Sequence, residues 1–361
     1  MKAKHGILYL LLAIFSSSCI REEAPNAEAD ILSCRLPGVV MTTSPIITNN
    51  SINIFVGPGT DISSLAPEFT LTPGATIDPP SGTARDFHSP QQYTVTAADG
   101  FWKKKYTVSV IDTELATIYN FEDTLGGQKY YIFVEREGEK VVMEWASGNA
   151  GYAMTGVPKT ADDYPTFQIA NGKTGKCLSL VTRSTGFFGG LMGMPIAAGN
   201  LFIGSFDVGN AMSNPLKATK FGLPFRHIPT YLAGYYKYKA GDQFTEGGKP
   251  VGGKRDICDI YAIMYETSES VPTLDGTNAF TSPNLVSIAR IDDAKETDEW
   301  TYFKLPFHML SGKYIDKEKL TAGKYNVAIV FTSSLEGDHF NGAIGSTLLI
   351  DEVELIYRSE D

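Results

Sequence analysis

The feature that most constrains this chain is a repeated period of two. Gln92-Tyr93-Thr94-Val95-Thr96-Ala97 and Tyr106-Thr107-Val108-Ser109-Val110 alternate polar and apolar residues without a break. Successive side chains of a strand point to opposite faces, so such a run is satisfied only as a strand with one face buried. Between these two runs lies Ala98-Asp99-Gly100. Asp-Gly tolerates positive φ and is the turn of a tight hairpin. Similar short runs recur to the carboxyl end, divided by a generous supply of Gly (35) and Pro (19). No stretch sustains a helical period. The expectation is an all-β chain of stacked sheets.

At 361 residues the chain has room for two units. Polarity rises at Asp112-Thr113-Glu114, which divides a small sandwich over 31–113 from a larger one over 114–361. The small unit carries no catalytic constellation. Its Phe101-Trp102 beside Lys103-Lys104-Lys105 is expected to be a hairpin with a charged, gatekept edge. A net charge of −10 argues against a nucleic-acid partner, which needs clustered Lys and Arg.

The amino terminus has two early lysines, an apolar run from Ile7 to Phe15 and three serines before Cys19. This is a secretory signal over 1–18, too short to span a membrane. Small residues directly before the cysteine resemble a bacterial lipobox, so Cys19 is expected to be the lipidated first mature residue. The following Ile20-Arg21-Glu22-Glu23 resembles the export tag of lipoproteins on the outer face of the Bacteroidetes outer membrane. Residues 19–30 then form a polar tether. Cys34, Cys177 and Cys258 remain, with pairing left open. Cys258 alternates with Ile260, Ala262 and Met264 and is expected to be buried.

The centre of the chain is dense in tyrosine. Tyr231, Tyr235, Tyr236, Tyr238 and Tyr261 fall within about thirty residues. A ring with a hydroxyl at its tip suits a surface that grips something partly apolar and partly wet, such as a sugar face. Asp259 and Tyr261 lie on the face of their strand opposite the Cys258 row, which fits either a solvent-facing platform or a second, polar-decorated interior. Trp145 stands where a strand gives way to a Gly/Asn loop, a position for a stacking ring, and Arg226 lies on the loop leading to Tyr231. These eight residues are the expected ligand-binding set.

The blocks Ala198-Gly199-Asn200-Leu201-Phe202-Ile203-Gly204, Phe221-Gly222-Leu223-Pro224-Phe225, Gly234-Tyr235-Tyr236-Lys237-Tyr238-Lys239 and Asp256-Ile257-Cys258-Asp259-Ile260-Tyr261-Ala262 together resemble the putative carbohydrate metabolism domain (PCMD) of Bacteroidetes lipoproteins. The resemblance runs from about residue 115 to 359. The smaller unit is similar to the immunoglobulin-like modules that precede binding or catalytic domains in such proteins. The fold implied is an N-terminal immunoglobulin-like β-sandwich followed by a larger jelly-roll, galactose-binding-like β-sandwich. In jelly-roll carbohydrate modules the acids of the first and last strands hold a structural calcium. The resemblance therefore implies Glu122, Asp123 and Asp351 as metal ligands.

The expectation is a surface-exposed outer-membrane lipoprotein that binds an oligo- or polysaccharide. It touches the membrane only through its lipid and works beside neighbouring outer-membrane glycan-uptake proteins. One alternative is a glycoside hydrolase, for which Glu144, Asp163, Asp256, Asp259 and Glu266 are available and no spacing selects two. Another is an adhesive or structural surface protein. Gly248-Lys249-Pro250-Val251-Gly252-Gly253-Lys254 has P-loop spacing but is followed by Arg255 instead of Ser or Thr, and reads as a hairpin loop. The uncharged span Ser184–Phe206 reads as a loop followed by a buried strand.

Overall fold

The computed structural model describes residues 26–358 except 40, 43, 48, 58, 113 and 269. The expected signal peptide, Cys19 and export tag lie outside the described residues. No helix among the described residues is long and apolar enough to cross a membrane.

The chain folds as all-β layers. In the amino-terminal unit the two alternating runs become the strands Gln91–Thr96 and Lys103–Asp112, paired antiparallel across a turn in which Gly100 adopts φ +74°. Ser51–Val56 lies parallel to Lys103–Asp112, so this sheet mixes parallel and antiparallel pairing. Ile31–Arg35 and Glu68–Leu71 form a separate antiparallel pair. Ile52, Ile54, Tyr93, Val95, Tyr106 and Val108 fill the core between them. The end of the expected tether is not free: Asp99 N–H donates to the Asn26 carbonyl and Thr72 N–H to that of Asp30. Phe101 and Trp102 stand exposed just past the hairpin turn.

The larger unit is two antiparallel sheets face to face. One contains Leu285–Arg290, Asp259–Glu266, Tyr325–Thr332, Asn200–Phe206 and Lys140–Ala146 in that order, and the other Thr166–Ile169, Cys177–Val181, Thr347–Arg358, Ile228–Lys239 and Thr297–Pro306. Their facing rows form the main core, which includes Cys258, Ile260, Ala262 and Met264 as expected. Cys34, Cys177 and Cys258 are all buried and unpaired. Burial pushes the thiols of Cys34 and Cys177 up to about 12.

A second apolar layer covers the outer face of the larger sheet. Phe202, Tyr261, Ile263, Tyr265, Leu285 and Ala328 pack there against Phe221, Leu274 and Ala279 from the connecting segments. The cover is drawn close at Gly204, with φ +144°, where an added Cβ would lie 1.9 Å from the Lys220 carbonyl oxygen. Only glycine lets Thr219–Phe221 pair there with Asn200–Phe206. Within the Ser184–Phe206 span, the loop turns out to include a short helix, Gly186–Leu191.

Candidate functional site

The row Asp259, Tyr261, Ile263 and Tyr265 occupies this outer face, so the second of the two expected possibilities holds over most of its length. Tyr265 is sealed in: its hydroxyl donates to the Phe221 carbonyl and accepts from Asn326 Nδ2 at 3.0 Å. At the other end the cover stops, and Asp259 and Tyr261 line a cavity of about 520 Å³.

The polar floor of this cleft is built on two neighbouring strands. Arg290 is the register partner of Tyr261 and reaches diagonally to Asp259, with Nε 3.1 and 3.0 Å from the two carboxylate oxygens and Nη2 2.7 Å from Oδ2. Phe280 supports the pair from below, its ring 4.5 Å from the guanidinium and 4.9 Å from the Tyr261 ring. Burial pushes the Asp259 carboxyl above its usual range, while the Arg290 hydrogen bonds pull it back. The charge of Asp338, across the cleft, adds to the upward push. Burial also carries the Tyr261 phenol well above its ordinary value.

The walls are mostly apolar. Tyr152 comes from the helix Asn149–Ala153 and Met154 from its C-cap, Phe188 and Met194 from the glycine-rich span, and Met212 and Leu216 from the segment that covers the sheet. The remaining wall is Ser334–Phe340, which brings Glu336, Asp338 and His339 to the opening. This wall is held by Asp256, whose Oδ2 accepts from Ser334 Oγ at 2.6 Å, Ser346 Oγ at 2.7 Å and Ala343 N–H at 2.7 Å. Glu336 is neutralised by Lys254, 2.7 Å away, which also binds Glu246.

Asp259 and Tyr261 are the only members of the expected ligand-binding set in the cleft. Trp145 is a correction: it is 3% exposed, its Nε1–H donating to Glu135 at 2.9 Å and its ring packed edge-on against Tyr119. It faces the main core because its strand, not the following loop, sets its direction. Tyr236 and Tyr238 are likewise inward and buried. Arg226 packs against Gly59 of the amino-terminal unit, where an added Cβ would fall 2.0 Å from its Nη2. Tyr231 and Tyr235 lie on the outer face of the smaller sheet, away from the cleft. Arg290, Phe280, Asp338 and Phe188 were missed. An arginine closing the apolar strand Leu285–Arg290 was the available signal, since a charge at that position needs a partner.

Of the carboxylates considered for hydrolysis, Glu144 accepts from Ser44, Asp163 caps the turn at Thr160, Asp256 is enclosed, and Glu266 pairs with Lys319. Only Asp259 reaches the cleft.

The acids expected to hold calcium take other partners. Asp351 Oδ2 accepts from the backbone N–H of Lys173 and Thr174, its Oδ1 from Glu352 N–H, and Glu122 Oε1 from Lys176 N–H. Asp123 lies 3.9 Å from Arg136. Both Asp351 oxygens and Glu122 Oε1 are turned to N–H donors, and among the described residues no three His, Cys, Asp or Glu side chains gather as a metal site. The arrangement does not fit calcium.

Comparison with known proteins places these features. Residues 31–110 match the family model described as "SGBP, N-terminal", and residues 120–356 match "Putative carbohydrate metabolism domain". A solved structure from Bacteroides thetaiotaomicron, described as a putative glycoside hydrolase, is 99% identical over 94% of this chain and 100% of its own, with a TM-score of 0.78. One from Bacteroides vulgatus, described in the same words, is 50% identical over 67% of this chain and 98% of its own, with a TM-score of 0.63. No curated protein matches. With a match across more than half of its length, the chain belongs to the putative carbohydrate metabolism domain family.

Proposed function

We propose that the protein is a cell-surface glycan-binding protein whose cleft receives the end of a saccharide chain. The observation that carries this reading is the floor of the cleft: an Asp259–Arg290 pair seated on the rings of Tyr261 and Phe280. The pair offers donors and acceptors to hydroxyls, and apolar walls suit the C–H faces of sugar rings. A volume of about 520 Å³ is within the range of small-ligand sites. The two carbohydrate-related family matches support the substrate class, and the SGBP-type unit supports the surface location. In this reading Cys19 carries the lipid anchor, and Cys19→Ala loses metabolic labelling by a fatty acid analogue.

Titration calorimetry with a panel of oligosaccharides from plant and host polysaccharides tests the cleft. Binding of at least one, weakened about tenfold or more by Phe280→Ala, is the expected result. A folded protein that binds none, or a variant that binds equally, overturns it.

A second reading is hydrolysis, favoured by one observation: the Asp259 and Asp338 carboxyls line the same cleft. Two carboxyl groups are what glycoside cleavage needs. Under this reading, long incubation releases reducing ends and Asp338→Asn abolishes them. No product from any glycan that binds leaves binding as the function.

A further inference from the structure

The outer face of the smaller sheet holds a second constellation that the cleft does not use. Thr297–Pro306 pairs antiparallel with Ile228–Lys239, with Tyr302 opposite Tyr235 and Lys304 opposite Ala233. Leu232, Tyr236 and Phe303 point inward to the core. The alternate side chains therefore point outward. They form a shelf of Tyr231, Tyr235, Trp300 and Tyr302, with Tyr302 54% and Tyr231 37% exposed.

Lysines are interleaved with these rings. Lys304 Nζ lies 4.4 Å from the Tyr231 ring centre, Lys237 Nζ 5.3 Å from that of Trp300, and Lys173 Nζ 4.7 Å from that of Tyr235. The Tyr235 and Tyr302 rings stand 5.2 Å apart. Elsewhere lysines answer carboxylates, as Lys254 does Glu336 and Lys319 does Glu266. None of these three has a carboxylate within 4 Å among the described residues. Of the acids near this row, Asp351 faces Tyr235 but is enclosed, its oxygens taken by the backbone N–H groups of Lys173, Thr174 and Glu352. Glu354 faces Ala233, two strand spacings or about 10 Å from Lys304, and Asp298 stands exposed two residues before Trp300. An ammonium resting on a ring face is steadied without being neutralised. The chain as a whole carries −10, so three lysines that no carboxylate answers within 4 Å run against the sign of the molecule.

We propose that this shelf binds an acidic polysaccharide, its carboxylate or sulfate groups meeting Lys173, Lys237 and Lys304 and its sugar faces lying on Tyr235 and Tyr302. Along the strand, the positions of Lys304 and Lys237 are separated by four residues, about 13 Å. Anionic groups spaced along an extended chain can therefore reach both. A neutral glycan finds the rings but gains nothing from the charges. The site is independent of the cleft.

Affinity electrophoresis of the whole protein through gels containing polygalacturonate, heparin or dextran tests this. Retardation by at least one polyanion and none by dextran is expected, fading as salt rises because the contacts are exposed charges. Retention by polygalacturonate alone identifies carboxylate as the recognised group, and by heparin alone sulfate. Lys237→Gln with Lys304→Gln, and separately Tyr302→Ala, should each weaken retention about tenfold. Lys103→Gln with Lys105→Gln, two exposed lysines of the amino-terminal unit, should leave it unchanged, so a loss in the shelf variants is assigned to the shelf and not to the change in net charge. These shelf positions are exposed enough for the variants to fold, which melting curves verify. No retardation, equal retardation by dextran, or retardation untouched by the shelf variants overturns the proposal.

Discussion

Arg290 clasps Asp259 from the neighbouring strand, and the two form the charged floor of the cleft. The Asp259 side chain is 5% exposed and that of Arg290 37%. A carboxylate so enclosed depends on its partner, and removing one member of a buried pair commonly costs 3–5 kcal/mol, roughly, because the other is left charged and unpaired. Arg290 keeps some contact with water, which puts the cost near the lower end. Arg290→Met should destabilise the protein by about 3 kcal/mol in urea unfolding. Adding Asp259→Asn should restore most of that loss. A single variant as stable as the parent would show that the pair carries no such coupling.

How much of this was legible in sequence follows from what each pattern encodes. The period of two in Gln91–Thr96 and Lys103–Asp112 reports one buried face, and those strands and their hairpin were readable. The same rule placed Cys258, Ile260, Ala262 and Met264 in the core. It could not decide the fate of Asp259, Tyr261, Ile263 and Tyr265, because a second apolar layer comes from Phe221, Leu274 and Ala279, distant in the chain. Tyr236 and Tyr238 show the limit in reverse. Alternation separates them from Tyr235 and Lys237, but only the sheet partners determine which pair faces the core. The cleft itself is made where that cover ends, between Phe280, Arg290 and Ser334–Phe340, and no local spacing encodes such a gap.

Asp351 and Glu122 both fasten the loop 172–176, which bears on the calcium expectation. Asp351 accepts from three backbone N–H groups, and Gly175, at φ +59°, brings the backbone against Glu122. With N–H donors already satisfying these oxygens, no cation is needed to balance the turn. A chelator should leave the melting temperature unchanged, and added calcium should not raise it. Asp351→Ala, in contrast, strips three donors of their acceptor and should cost about 2–4 kcal/mol in urea unfolding. A chelator-induced fall in melting temperature of several degrees would restore the metal.

Glu135 predicts how stability depends on pH. Burial, opposed by the Trp145 hydrogen bond, pushes its carboxyl up from 4.5 to about 7. In the unfolded chain the group loses its proton near the ordinary value, while the folded protein keeps it. Between those two values the native state binds more protons, so stability falls as pH rises through the window from about 4.5 to about 7. The contribution is fully present below the window and gone above it, and amounts to at most about 3 kcal/mol at 1.36 kcal/mol per pH unit. Glu135→Gln keeps an oxygen for the Trp145 Nε1–H and has no charge to bury. The variant should therefore match the parent near pH 4 and exceed it by roughly that amount at pH 8. Urea midpoints at the two pH values measure the difference directly, and other titrating groups cancel because both proteins share them. Parallel profiles for parent and variant would mean that Glu135 reaches water freely enough to ionise in the folded state.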